Sequence, residues 1–237
     1  MQPINFQTRT VSRFKNPPEN EQELIRQFFG NKPSGFFVDV GANEPVHLSQ
    51  SWHLEQLGWD GIMIEPLPAY CEQLRAQRRG RVVQVACSSP ANHGQTLQLL
   101  VAGGHSTLNE APIAVGTQSR EYAAVMCRTL DSTLSDCNVP AGFDFISIDI
   151  EGHEMEMFKG FDLRKWRPQL VLLEDHVTSH DKHNFMTGCG YQLIMRTGLD
   201  SWYVPATSRY SLTLFARLQR FRKYWLGLLL RKLRYAR

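Results

Sequence analysis

The sequence predicts an α/β domain: a Rossmann-like, mostly parallel sheet with helices on both faces. Three observations carry this. Short apolar runs such as GFFVDVGA (35–42) end in a turn, as strands buried on both faces do. Segments of helical spacing separate those runs. Charged and small residues gather where the runs end, while the bodies of the runs stay apolar. Strand–helix alternation of this kind builds right-handed βαβ units.

The elements follow in order. Residues 1–18 read as a loosely ordered arm, and ENEQELIRQFFG (19–30) has helical spacing with Gly30 placed to stop it. GFFVDVGA is the first strand, residues 49–59 a helix, GIMIEP (61–66) the second strand, and 68–77 a second helix. RVVQVACS (81–88) reads as the third strand. QTLQLLVAG and EYAAVMCRT read as extra strands around the glycine-rich loop AGGHSTLN, and Thr129-Leu130-Asp131 as a helix start. FDFISIDI is the fourth strand of the main series, EGHEMEMFKG a short helix, and PQLVLLEDH (168–176) the fifth strand. HNFMTGCG is then helical, and YQLIMRTG with SWYVPA closes as a hairpin. The expected organisation is an arm and helix over 1–34, the Rossmann-like domain over 35–207, and a basic tail over 208–237.

Composition narrows the class. The 237 residues have the apolar content of a globular protein, and five scattered cysteines without a CxxC pair read as reduced thiols in a cytosolic protein. No N-terminal apolar run reads as a signal peptide. The net charge of +3 hides an asymmetry: residues 211–237 hold six Arg, two Lys and no acid, so +8, and the remainder is 3 − 8 = −5.

In an open parallel sheet, ligands bind beyond the C-terminal strand ends, where the strand order reverses. Those ends carry VDVGANEP, Glu65, Ala86-Cys87-Ser88, Asp149-Ile150-Glu151 and Glu174-Asp175-His176. The first turn has Gly41 but no GxGxxG, the fingerprint that lets a pyrophosphate approach a helix backbone. Asp39, Asn43 and Glu44 stand there instead, and the two acids would repel a diphosphate. Glu65, 24 residues after Gly41, sits where an acid grips ribose hydroxyls. A ligand with a ribose, no phosphate and a positive centre is S-adenosylmethionine. The predicted cofactor residues are Asp39, Gly41, Asn43, Glu65, Ala86, Cys87 and Asp149; the competing reading is that Asp39 and Asn43 merely cap the turn.

GFFVDVGANEPV, GWDGIMIEPLPAY, RTLDSTL, FDFISIDIEGHE with its following FKGFD, and RPQLVLLEDH together resemble the FkbM-type family of class I methyltransferases, over roughly residues 35–205. The resemblance implies a seven-stranded class I methyltransferase sheet and O-methylation of a hydroxyl, often on a sugar or natural-product glycan, with S-adenosylmethionine as donor. Where many relatives have a second glycine-containing turn, this chain reads GANEPV, which alters how the methionine end is held.

Methyl transfer to a hydroxyl needs alignment of donor and acceptor, and a base within hydrogen-bond reach. His153 and His176 are candidates by pKa, and Asp149 and Glu151 are the carboxylate alternatives. Glu151 and Glu154 are expected in the first turn of the next helix, with a solvated acid as the bland reading of Glu154. A Mg²⁺-like ion on Asp149, Glu174 and Asp175 is one reading of the dense acids, and a metal-free site is the other. His105, His180 and His183 read as surface or capping residues.

The tail reads as a cationic amphipathic helix with Phe215, Tyr224 and Trp225, and its longest uncharged run, 224–230, is far too short to span a bilayer. It suits an anionic membrane surface at the inner face of the cytoplasmic membrane, or packing on the sheet or on a second copy in a homo-oligomer. A lipid-linked glycan would be a fitting acceptor. A nicotinamide-dependent oxidoreductase or epimerase is disfavoured by the single-glycine turn. A nucleic-acid partner is disfavoured by the acidic body.

Overall fold

A computed structural model describes residues 17–47, 49–101, 106–108 and 121–210, with 217–218, 221–222 and 227–228 of the tail. His105 and most of the tail lie outside the described residues.

The main sheet has seven strands: β1 (Phe36–Val40), β2 (Asp60–Ile64), β3 (Arg81–Val83), β7 (Phe145–Ile148), β8 (Leu170–Glu174), β9 (Tyr191–Thr197) and β10 (Asp200–Pro205). Their spatial order is β3-β2-β1-β7-β8-β10-β9. The first five run parallel, and β10 is antiparallel to both its neighbours. Strand order reverses between β1 and β7, so a crevice opens beyond Val40 and Ile148. This is the Rossmann-like arrangement that the resemblance implies.

Inward side chains alternate with period two, so each strand feeds two cores. Val38, Ile146, Val171, Leu173 and Tyr203 join one core with α4 (Leu130–Asp136), α5 (Glu154–Phe158), α6 (Leu163–Trp166) and α7 (Asp181–Gly188). Phe37, Phe145, Leu170, Leu172 and Trp202 join the other with α1 (Pro17–Phe28), α2 (Trp52–Gln56) and α3 (Pro68–Gln77). Continuing the alternation to the strand ends places Asp39, Asp149, Glu174 and Asp200 on this second face.

Two readings of the chain are corrected. Residues 81–88 are not one strand. The main-sheet strand stops at Val83, and β4 (Ala86–Cys87) pairs with β6 (Glu121–Arg128) in a separate three-stranded sheet, β4-β6-β5, completed by β5 (Thr96–Val101). Glu151 is not helical. It takes a left-handed conformation (φ 51°) just before Gly152 (φ 90°), and α5 begins at Glu154. Helix α6 carries no sequence signal long enough to have been read. Thr129 caps α4 as expected, accepting from the Ser132 N–H.

Both flanks touch the domain. Ile25 and Phe28 of α1 are buried under the sheet, and Leu228 of the tail is buried in the first core, whereas Leu218 and Phe221 are exposed. Among the described residues no helix is long and apolar enough to cross a membrane.

Candidate active site

The crevice is a cleft of about 580 Å³ including its open mouth. Its floor is Val40, Gly41 and Ile150, and one wall is Ile64, Glu65, Pro66 and Leu67. Val85, Ala86 and Cys87 continue that wall, and Leu99, Ser106 and Leu108 of the second sheet and its loop close over it. Asp149, Glu151 and His153 face them. Gly41 is demanded by position. It adopts φ 83°, and a Cβ there would lie 1.8 Å from the Asp149 carbonyl oxygen, so any side chain would force β1 and β7 apart.

Glu65 is buried, with Oε1 accepting from the Leu67 N–H at 2.9 Å and Oε2 from the Asn43 N–H at 3.0 Å. Burial pushes its carboxyl up to about 7, aided by the charge of Asp39 and opposed by those two N–H groups. Asn43 takes a left-handed turn (φ 47°), and its Oδ1 is buried without a hydrogen-bond partner. An orphaned acceptor and a fixed carboxylate beside an apolar slot fit the donor groups and the ring of an adenosyl ligand.

Asp39 falls elsewhere. It is not among the cleft-lining residues. Its Oδ2 accepts from Ser51 Oγ at 2.5 Å, and Ser51 Oγ accepts from Arg78 at 3.0 Å. Burial raises the Asp39 carboxyl, while Ser51 and Arg78 hold it down. Arg78, with its side chain wholly buried, also donates to Glu55 Oε2 (2.5 Å), the Pro45 carbonyl (2.9 Å) and Ser49 Oγ (3.2 Å). It therefore ties the 41–51 loop to β1 and α2. Arg78 was not legible in the sequence, because its partners are 23 to 33 residues away.

At the other rim, Asp149 opens into the cleft and is exposed there, yet protein encloses it on the remaining sides. That enclosure, together with the Glu174 and Glu151 carboxylates, raises its carboxyl well above the usual range. Glu174 is buried and pairs with His176 at 3.1 Å. Burial opposes ionisation of Glu174, but His176, Asp149 and Lys182 outweigh it and hold its carboxyl below the usual value. His176 is more than half exposed, does not line the cleft, and is raised by its bond to Glu174. Asp200 and Glu21 extend the row: the two carboxyls bond each other, and burial raises both.

His153 is buried at the cleft wall, its Nε2 2.9 Å from Ser88 Oγ, which also accepts from Asn92 Nδ2 at 2.9 Å. Burial lowers its pKa, so the imidazole is neutral at neutral pH. Thr107 donates to the Glu151 carbonyl at 2.9 Å, stitching the closing loop to this turn. Glu154 is not a solvated helix-start acid. It is fully buried, accepts from the Gly152 N–H and pairs with Lys182 at 2.7 Å.

Glu151, Glu174 and His176 bring one potential ligand atom each within 4.8 Å of one another. Asp175 stands outside this group, with Oδ1 accepting from the Val177 N–H and Oδ2 3.5 Å from Arg196. His183 bonds the Tyr203 hydroxyl at 3.0 Å, and His180 sits at the start of α7 without capping it.

Residues 39–193 match the family model described as the methyltransferase FkbM domain. The chain belongs to this family. It is therefore a methyltransferase, with S-adenosylmethionine as the methyl donor. No curated protein matches it. Among solved structures, it is similar to precorrin-6y C5,15-methyltransferase from Geobacter metallireducens GS-15 (12% identity, 77% of this chain, 85% of that one, TM-score 0.43). It is also similar to a putative RNA methyltransferase from Pyrococcus horikoshii (10%, 82%, 88%, TM-score 0.44). A third is the N-terminal domain of human METTL16 in complex with SAH (12%, 82%, 70%, TM-score 0.43).

Proposed function

We propose that this FkbM-domain methyltransferase transfers the methyl group of S-adenosylmethionine to a hydroxyl of a sugar or glycan, in surface polysaccharide or glycolipid assembly. The observation that carries the reading is the division of one cleft. Glu65 and Asn43 line one side with acceptors suited to hydroxyls and an amine. Asp149, Glu151 and His153 line the other with groups suited to a proton.

The donor supplies a methyl carried on a sulfonium. The chain's own residues do the rest. The Glu65 carboxylate, fixed by two backbone N–H groups, accepts from ribose hydroxyls. The apolar wall of Ile64, Leu67, Val85 and Leu108 sheds water from the reacting centre. His153, neutral and bonded to Ser88, is the group best suited to accept the acceptor's proton, with Asp149 and Glu151 as carboxylate alternatives.

Mass spectrometry of glycan acceptors incubated with the protein and deuterated-methyl donor tests this. A labelled methyl ether on a sugar hydroxyl is the expected product. Label on nitrogen or carbon, or on a non-sugar natural product only, would sink the sugar reading and leave the methyltransferase.

The proposal extends to location. The +8 charge of 211–237 and the exposed Leu218 and Phe221 support peripheral binding to an anionic membrane at its cytoplasmic face. Sedimentation with anionic liposomes should fall several-fold in a protein carrying R217E and F221E, and equal sedimentation would refute the membrane contact.

A further inference from the structure

We propose that Ser88 and Thr107, which follow β4 and β5 of the second sheet, are positioning residues. They hold the turn after β7 in the shape from which Asp149, Glu151 and His153 face the cleft. Neither Ser88 nor Thr107 lines the cleft itself. Each reaches one residue of the turn that does. Ser88 Oγ is 2.9 Å from His153 Nε2, and Thr107 Oγ1 donates to the Glu151 carbonyl at 2.9 Å.

The turn needs such support. Glu151 and Gly152 are successive left-handed residues (φ 51° and 90°), and a residue with a side chain keeps that conformation only where its surroundings impose it. Regular helix begins only at Glu154. The two hydroxyls that brace the turn are themselves fixed. Ser88 is wholly buried, its N–H donates to the Arg128 carbonyl of β6 at 2.9 Å, and its Oγ accepts from Asn92 Nδ2 at 2.9 Å. Its carbonyl lies so near Gly160 that a Cβ on that glycine would be 2.7 Å away. Thr107 is bridged to β5 in both directions: its N–H donates to the Leu100 carbonyl at 3.1 Å, and its carbonyl accepts from the Leu100 N–H at 2.9 Å.

Two contacts do what one could not. A single hydrogen bond would leave the turn free to pivot, whereas bonds to residues 151 and 153 from two points of the same sheet set both its distance and its rotation. The second sheet thus serves the proton-handling side of the cleft as Arg78 serves the 41–51 loop. The use is chemical, because a proton acceptor displaced by about 1 Å loses much of its effect on transfer. That consequence rests on the methyl-transfer reading above, whereas the positioning itself does not.

The test compares the full-length parent with T107V, T107S and S88A at one pH. Hydrogen–deuterium exchange follows the amides of residues 149–154, imidazole ¹⁵N spectra follow His153, and calorimetry measures S-adenosylhomocysteine affinity. In T107V the amides of the turn should exchange about three- to tenfold faster, the worth of one hydrogen bond, and affinity should fall by a similar factor. T107S keeps the hydroxyl and should restore both. In S88A the ring signals of His153 should move while those of the exposed His176 stay in place. Thermal melts check that each variant is folded, and should buried Ser88 tolerate no change, the T107V–T107S pair decides. Exchange or affinity in T107V equal to the parent's, or His153 signals in S88A that coincide with the parent's, overturns the proposal. A parent that does not bind S-adenosylhomocysteine would break the donor reading instead, and exchange with the ring signals would then decide the positioning.

Discussion

Two polar clusters lie beneath the same face of the sheet, and they are balanced in opposite ways. Under β1, the carboxylates of Asp39 and Glu55 share one guanidinium, that of Arg78, with Ser51 bridging. Beyond β7, β8 and β10, the carboxyls of Asp149, Glu174, Asp200 and Glu21 lean on one another, on Thr197 and Gln50, and on the exposed His176. The first cluster sets two carboxylates against one guanidinium, and Ser51 and the Arg79 and Gly80 N–H groups fill their other acceptor sites, so it fixes geometry. The second sets four carboxyls side by side, and burial with their mutual repulsion raises those of Asp149, Asp200 and Glu21, so protons offset its charge and it is the one prepared to pass a proton. Burial alone does not separate a structural network from a chemical one; the supply of donors and cations within it does.

Breaking the balanced cluster should have the largest effect. Arg78→Met leaves Glu55 and Asp39 buried without their cation, and should cost about 3–5 kcal/mol in urea unfolding. Because Arg78 holds the Pro45 carbonyl, the variant should also bind S-adenosylhomocysteine more weakly. A loss under 1 kcal/mol would show that the network is not balanced as described.

Glu65→Gln should weaken S-adenosylhomocysteine binding by about 10–100-fold, the value of hydrogen bonds to a charged acceptor. Calorimetry reads this directly, and affinity equal to that of the parent would remove Glu65 from the ribose.

The pH dependence of that binding sharpens the point. The free protein holds the Glu65 carboxyl at about 7. Protonated Glu65 dominates at pH 6 and the carboxylate at pH 8, and only the carboxylate accepts two hydroxyls. Affinity should therefore rise by about tenfold from pH 6 to pH 8, then level off. The same raised pKa means that Glu65 makes folding less favourable as pH climbs from the unfolded value through 7. In Glu65→Gln the pH dependence should vanish.

The smallest effect tests the acidic cluster. Glu21→Gln removes one of two carboxyls that already compete for a proton, and it keeps an acceptor for Thr197 or Gln50. Stability at pH 8 should stay within about 1 kcal/mol of the parent, in contrast to Arg78→Met. A loss as large as that of Arg78→Met would mean both clusters are structural.

Much of this was legible before any coordinates. Apolar runs ending in GAN, IEP and DIEGHE placed the strand ends, and Gly41 and Glu65 line the cleft as those motifs imply. The split of 81–88 was hidden, because VVQVAC is equally apolar on either side of the break. The burial of Glu154 was hidden too, since its partner Lys182 lies beyond the next strand.

Local order and hydrophobic period, then, are written in neighbouring residues, because a strand's two faces and a turn's backbone angles are settled within a few positions of the chain. Tertiary structure alone decided which acids share a cation, which share a proton and which face the cleft. Asp39 and Asp149 end adjacent strands in similar sequence settings, yet one meets Arg78 and the other Glu174. Charge interactions depend on separation in space, and residues 39, 51 and 78, or 21, 174 and 200, become neighbours only when the sheet and its helices close.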